Sequence, residues 1–178
     1  LKKYPEAIKA YDRALAVKPD YADAYFSRGQ VFVNAMEYTK AVADFEKSLQ
    51  LNIKKPKHEV MSAIGNAYSG AKQYDRAVAA FDEAIKEKPE ADYYFRKGNA
   101  LAASGQMGAA ISAYEATIQI MPDFADAYNN KGNALASLQR YTEALPVFEQ
   151  ALKIKPDAGN FRCNRGLAKH GMGDNAGA

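Results

Sequence analysis

Residues 22–51 read ADAYFSRGQVFVNAMEYTKAVADFEKSLQL, and residues 125–154 read ADAYNNKGNALASLQRYTEALPVFEQALKI. Aligned without a gap, they pair Tyr25 with Tyr128, Gly29 with Gly132, Ala41 with Ala144 and Phe45 with Phe148. The same columns run outward along the chain. Glycines stand at 29, 65, 98, 132 and 166, and alanines at 7, 41, 77, 110, 144 and 178. Four residues after each of the first five alanines comes an aromatic: Tyr11, Phe45, Phe81, Tyr114, Phe148. Eight residues further on come Pro19, Pro89, Pro122 and Pro156, with Ile53 the exception. The glycine and alanine columns agree on one two-residue insertion and one single deletion, so the period near 34 residues is a property of the chain.

Within each period, apolar residues recur at three- and four-residue spacing in both halves, which predicts two amphipathic helices and hence a helical hairpin. A glycine inside a helix costs about 1 kcal/mol relative to alanine, so five in register require a packing reason. The expectation is that the glycine and alanine columns let neighbouring backbones approach, while the aromatic one turn beyond the alanine fills the remaining space. Turns of the type Lys-Pro-Asp are expected to stop one helix at the proline and cap the next with the aspartate. Pro5 and Pro146 are expected in opening turns, where amide hydrogens lack partners in any case.

Tyr25-x2-Arg28-Gly29-x2-Phe32 with Ala41-x3-Phe45, and Tyr128-x2-Lys131-Gly132-x2-Leu135 with Ala144-x3-Phe148 and Pro156, resemble the tetratricopeptide repeat pattern. The resemblance covers the whole chain. Met61 and Arg162 depart from it in the first aromatic column, and a basic residue replaces leucine before four of the five glycines. It implies an all-α fold, an α-α superhelix or solenoid of antiparallel helix hairpins. Counted from the glycines, residues 1–20 are the second helix of a truncated repeat; whole repeats occupy 22–55, 58–90, 91–124 and 125–158; 159–178 is a truncated final repeat. Both ends fall mid-repeat without a polar cap, which suggests a piece of a longer array. Self-association through the uncapped ends is expected, because Ala7, Ile8 and Tyr11 have no partner helix in sequence to cover them.

Composition narrows the chemistry. The chain has 178 residues, 48% of them hydrophobic, with 24 basic and 21 acidic side chains, a formal charge of +3. That is too hydrophobic for disorder throughout and too weakly basic for a dedicated nucleic-acid binder. Apolar runs stop well short of the roughly 20 residues that span a bilayer, so no membrane insertion is expected. Cys163 is the one cysteine, which allows no internal disulfide and fits an intracellular, cytoplasmic setting. GNAYSGAK at 65–72 has one residue too many, and glutamine where a phosphate loop needs serine or threonine. His58 and His170 lack metal-ligand spacing, and Cys163 lies about 10 Å along a helix from His170. No catalytic residue, metal or cofactor is therefore expected, and the chain reads as a non-enzyme.

Recognition remains. By the same resemblance, the first helices line a concave groove that grips an extended peptide or a partner protein. The residue after each glycine, Gln30, Asn66, Asn99 and Asn133, points into that groove, with Leu167 breaking the row. Asn129 and Asn130 join them as amide-bearing candidates, and Phe26 and Phe95, one turn before the glycine, are candidate side-chain pockets. An asparagine amide offers a donor and an acceptor and can hold a peptide backbone at both; the row is equally open to being a preference of the repeat with no ligand. Asp23, Glu59, Asp92 and Asp126 form an acidic row at helix starts, and Arg28, Lys97, Lys131 and Arg165 a basic column whose charges should reach acids on adjacent helices. The expected function is a non-catalytic interaction scaffold. The alternatives are the substrate-recognition repeats of a larger, glycosyltransferase-like enzyme, or a chaperone-associated adaptor.

Overall fold

The computed structural model describes residues 3–173, and among these the chain forms helices and no strand. They are α1 (Tyr4–Val17), α2 (Ala22–Asn34), α3 (Tyr38–Gln50), α4 (Lys57–Gly70), α5 (Tyr74–Glu87), α6 (Ala91–Ala103), α7 (Met107–Ile120), α8 (Ala125–Ser137), α9 (Tyr141–Ile154) and α10 (Gly159–Gly171). The chain divides into two units, Leu1–Pro89 with α1–α5 and Glu90–Ala178 with α6–α10. In the first, α2 pairs with α3 and α4 with α5, α1 packs on α2, and α3 on α4. In the second, α6 pairs with α7 and α8 with α9, while α7 packs on α8 and α9 on α10.

The glycine column has a different reason from the one expected. A Cβ on Gly29 would stand 2.7 Å from the ring of Phe45, on Gly65 2.7 Å from Phe81, on Gly98 2.6 Å from Tyr114 and on Gly132 2.7 Å from Phe148. The missing methyl is thus the space of the aromatic ring on the second helix of the same hairpin, rather than room for a neighbouring backbone. The alanine column lies beside it, and Ala41, Ala77, Ala110 and Ala144 are completely buried. Burying a large ring stabilises by about 2–3 kcal/mol, more than the helix-propensity cost of the glycine that admits it.

Each hairpin turns on a left-handed residue just past the first helix: Met36, Lys72, Gly105 and Gln139, at φ of 61, 59, 83 and 58°. The next amide bonds back across the turn, Glu37 to the carbonyl of Phe32 at 2.8 Å and Gln73 to that of Tyr68 at 2.9 Å, so the last carbonyls of the helix are satisfied. The second helices α1, α5, α7 and α9 instead end on extended residues, Lys18, Lys88, Met121 and Lys155, because the residue before proline is driven out of the helical region. Where Ile53 replaces the proline, α3 closes as the hairpin turns do, with Asn52 at φ 54° and the amide of Ile53 on the carbonyl of Ser48.

Two local expectations are corrected. Asp20 and Asp123 do not cap: the cap positions of α2 and α8 are Tyr21 and Phe124, with no side-chain cap bond, so each aspartate lies one residue too early. Pro5 sits in the first turn of α1 as expected, but Pro146 is the sixth residue of α9 and inside the helix. Its nitrogen has no hydrogen to give the preceding turn, and the helix runs on through it. Ala178 of the alanine column lies outside the described residues.

Candidate functional site

The amides of the second unit form a connected chain. Asn164 on α10 donates through Nδ2 to Oδ1 of Asn129 on α8 at 2.9 Å, and Asn129 Nδ2 donates to Oδ1 of Asn130 at 3.2 Å. Asn130 Nδ2 donates to Oδ1 of Asn99 on α6 at 2.9 Å, and the same oxygen accepts the Tyr114 hydroxyl at 2.9 Å. In the Asn130–Asn99 pair the side chain two residues before one glycine meets the side chain just after the glycine of the preceding hairpin, whereas Asn164, in the corresponding place before Gly166, reaches Asn129 instead of Asn133. Tyr114 is almost fully buried, and burial pushes its hydroxyl up to about 12, with the Asn130 amide drawing it partly back.

Two open depressions border this chain. One of about 260 Å³ is lined by Asn99, Met107, Tyr114, Asn130, Asn133 and Ser137, and one of about 400 Å³ by Asn133, Ser137, Tyr141, Asn164 and Leu167. Oδ1 of Asn99 accepts twice, filling both lone pairs. The amide nitrogen of Asn99 and the whole amide of Asn133 make no hydrogen bond among the described residues. The surface that results is neutral and polar, and its free donors on Asn99 and Asn133 are suited to carbonyl oxygens. A third depression of about 430 Å³, on α7, α8 and α9, is lined by Ile118, Tyr128, Pro146 and Val147.

Phe26 is 6% exposed, its ring 5.2 Å from that of Phe45 and the Lys55 ammonium 5.3 Å from its centre, so it offers a ligand little surface. Phe95 packs edge-on against Phe124 at 4.8 Å and tilted against Tyr114 at 6.0 Å. Gln30 is exposed, Asn66 is half-buried and engaged by a neighbour, and Asn129 is buried. The acidic row is partly neutralised from within, Asp92 by Arg96 and Asp126 by Lys155, each at 2.6 Å. Two members of the basic column reach acids: Arg28 bonds Asp44 through Nε at 2.7 Å and Asp12 through Nη1 at 2.6 Å, and Lys131 meets Glu115 at 2.8 Å, whereas Arg165 Nε is buried without a partner among the described residues. Those carboxylates, the Asp44 hydrogen bonds first, raise the basicity of the Arg28 guanidinium against its partial burial. The Tyr114 hydroxyl went unremarked in the sequence, although it stands where the other three complete hairpins have Phe45, Phe81 and Phe148. That one change is the signal that could have found it.

Among the described residues, no group of three or more His, Cys, Asp or Glu is arranged to hold a metal ion, and no helix is long and apolar enough to cross a membrane. Family models described as tetratricopeptide repeats match residues 1–35, 22–52, 62–123 and 125–158. The chain belongs to the tetratricopeptide repeat family. Its hairpin fold is also that of solved tetratricopeptide structures. MamA aligns with a TM-score of 0.79 at 26% identity over 88% of this chain and 91% of that one. YrrB, described as a TPR protein with an unusual peptide-binding site, aligns with a TM-score of 0.75 at 26% identity over 96% of this chain and 84% of its own. Among curated proteins, the human mitochondrial import receptor subunit TOM70 is 30% identical over 121 residues, 65% of this chain and 20% of that receptor. The tetratricopeptide chain therefore spans about a fifth of that relative's length.

Proposed function

We propose that this chain is a non-catalytic protein-interaction module whose second unit holds an extended peptide by its backbone. The observation that carries the reading is the pair of amides, Asn99 and Asn133, which keep free N–H donors on the walls of adjoining depressions, the Asn99 oxygen alone being occupied by the ladder. An extended chain advances about 3.3 Å per residue, and packed helices lie about 8–10 Å apart, so donors one repeat apart reach carbonyls two or three residues apart. The absence of net charge among the lining residues favours an uncharged polar segment over an acidic or basic tail. The likeness to YrrB, whose description includes a peptide-binding site, supports the class of ligand.

The test is selection of peptides from a random library on the whole chain, followed by titration of a selected peptide against Asn133→Ala and Asn99→Ala/Asn133→Ala. Each lost donor removes about 1 kcal/mol, so the double variant should bind about 10- to 30-fold more weakly with unchanged helical circular dichroism. Equal affinity of wild type and double variant would overturn the reading.

A further inference from the structure

The opening turn of each second helix carries a tyrosine, with one exception. Tyr4, Tyr38, Tyr74 and Tyr141 stand three residues before the alanine column, and on α7 that place is taken by Met107. The ring of Tyr38 occupies the space of a side chain on Gly70, the last residue of α4, and the ring of Tyr141 lies 2.6 Å from where a Cβ on Gly171 would stand. On α8 the counterpart of those glycines is Ser137. Its Cβ takes the room such a ring needs, and its hydroxyl donates back to the carbonyl of Asn133 at 2.9 Å. The flexible thioether of methionine fits beside it where a rigid ring would collide.

The depression of about 260 Å³ lies at this break in the pattern. Met107, Ala102 and Ala134 give it an apolar floor, Asn99, Asn133 and Ser137 give it neutral polar walls, and no charged residue lines it. The Tyr114 hydroxyl proton is spent on Asn99 and the Ser137 proton on the Asn133 carbonyl, so neither is offered to an incoming group. What remains is an apolar patch between two unused amide donors.

The geometry points to a subsite for one aromatic side chain of the bound peptide, seated on the Met107 thioether between the amides of Asn99 and Asn133. It rests on the peptide reading above and adds the kind of residue that is read. Side chains of an extended chain alternate in direction, so a backbone held at both amides carries one of them over the apolar floor. A charged side chain would lose its hydration there and find no counter-charge. An aliphatic one gains burial alone, whereas a ring gains burial and a contact with the methionine sulfur, which favours it by about two- to tenfold in affinity.

Peptides selected from a random library on the whole chain should share one aromatic position. Replacing that residue by leucine should weaken binding about two- to tenfold, and replacing it by alanine should weaken it further. With the methionine methyls labelled with carbon-13, the Met107 signal, assigned by its loss in Met107→Ala, should move upfield under the ring as the peptide is added. Met107→Ala should erase the preference for the ring over leucine. Ala102→Phe sets a ring of the chain's own in the depression and should do the same with unchanged helical circular dichroism; Met107→Ala keeps the test decisive if that larger change disturbs α6. Selected peptides with no common aromatic, or a ring preference that survives Met107→Ala, overturn the subsite. The variant Asn99→Ala/Asn133→Ala separates the two readings. A peptide weakened by it but indifferent to Met107→Ala removes the subsite and leaves the backbone reading, and a peptide with the opposite behaviour keeps the subsite and removes the backbone reading.

Discussion

In the first unit, the centre of a hairpin is tied by charge: Arg28 on α2 reaches Asp12 on α1 and Asp44 on α3, and the cation also lies 5.4 Å from the ring centre of Tyr25 and 5.6 Å from that of Phe32. In the second, the first helices are tied by amides, with Asn99, Asn130, Asn129 and Asn164 bonded in sequence across α6, α8 and α10. The sequence's excess of basic over acidic residues falls wholly in residues 1–89, and 90–178 is balanced. Beneath this difference the plugs are the same, glycine against aromatic with a buried alanine beside it. The plugs recur from hairpin to hairpin while the polar side chains around them change from charges to amides.

Seven substitutions test that difference. The largest effect should be common to both units: Phe45→Ala and Phe148→Ala each leave an emptied ring site and should cost about 3–5 kcal/mol in urea unfolding. A clear inequality between them would break the equivalence of the plugs. Arg28→Ala comes next. It strands Asp44, whose side chain is 8% exposed, and should cost about 2–3 kcal/mol, below the fully buried case because Arg28 keeps some solvent. Lys131→Ala should cost under about 1 kcal/mol, since its partner Glu115 is half exposed. Third, Asn99→Ala removes the shared acceptor of Tyr114 and Asn130 and should cost about 1–2 kcal/mol, whereas Asn133→Ala, with no side-chain partner, should leave the melting curve in place. The smallest effect is a gain: Lys72→Gly relieves a left-handed residue and should stabilise by up to about 1 kcal/mol. Loss of stability there would mean that the Lys72 side chain contributes a contact worth more than the strain.

The hairpins were legible in the sequence because glycine, alanine and aromatic columns report one packing event, and a fixed period multiplies the signal. The turns were not. Met36, Lys72 and Gln139 take a left-handed conformation that residue type does not announce, and only Gly105 carries the usual mark. Pro146 was misplaced because its helix begins earlier than its proline suggested, and the caps because aromatic residues rather than aspartates stand at the boundary. Of the candidate face, the sequence singled out the asparagines but could not show that they bond to one another. That depends on helices 31 and 35 residues apart being brought together, a tertiary fact that period alone does not contain. For the same reason the ring contacts of Phe26 with Phe45 and of Phe95 with Phe124 were not legible in the sequence.

The central claim is that the amides of the second unit hold the ligand while the packing columns only position them. Nitrogen-15 correlation spectra of the side-chain amides, recorded as a selected peptide is titrated into the whole chain, test it most directly. The account predicts that the NH2 signals of Asn99, Asn133 and Asn164 move together with one midpoint, and that Asn133→Ala shifts that midpoint to higher peptide concentration. Unmoved Asn99 and Asn133 signals, with perturbation gathered instead on the backbone around Ile118, Tyr128 and Val147, would contradict it.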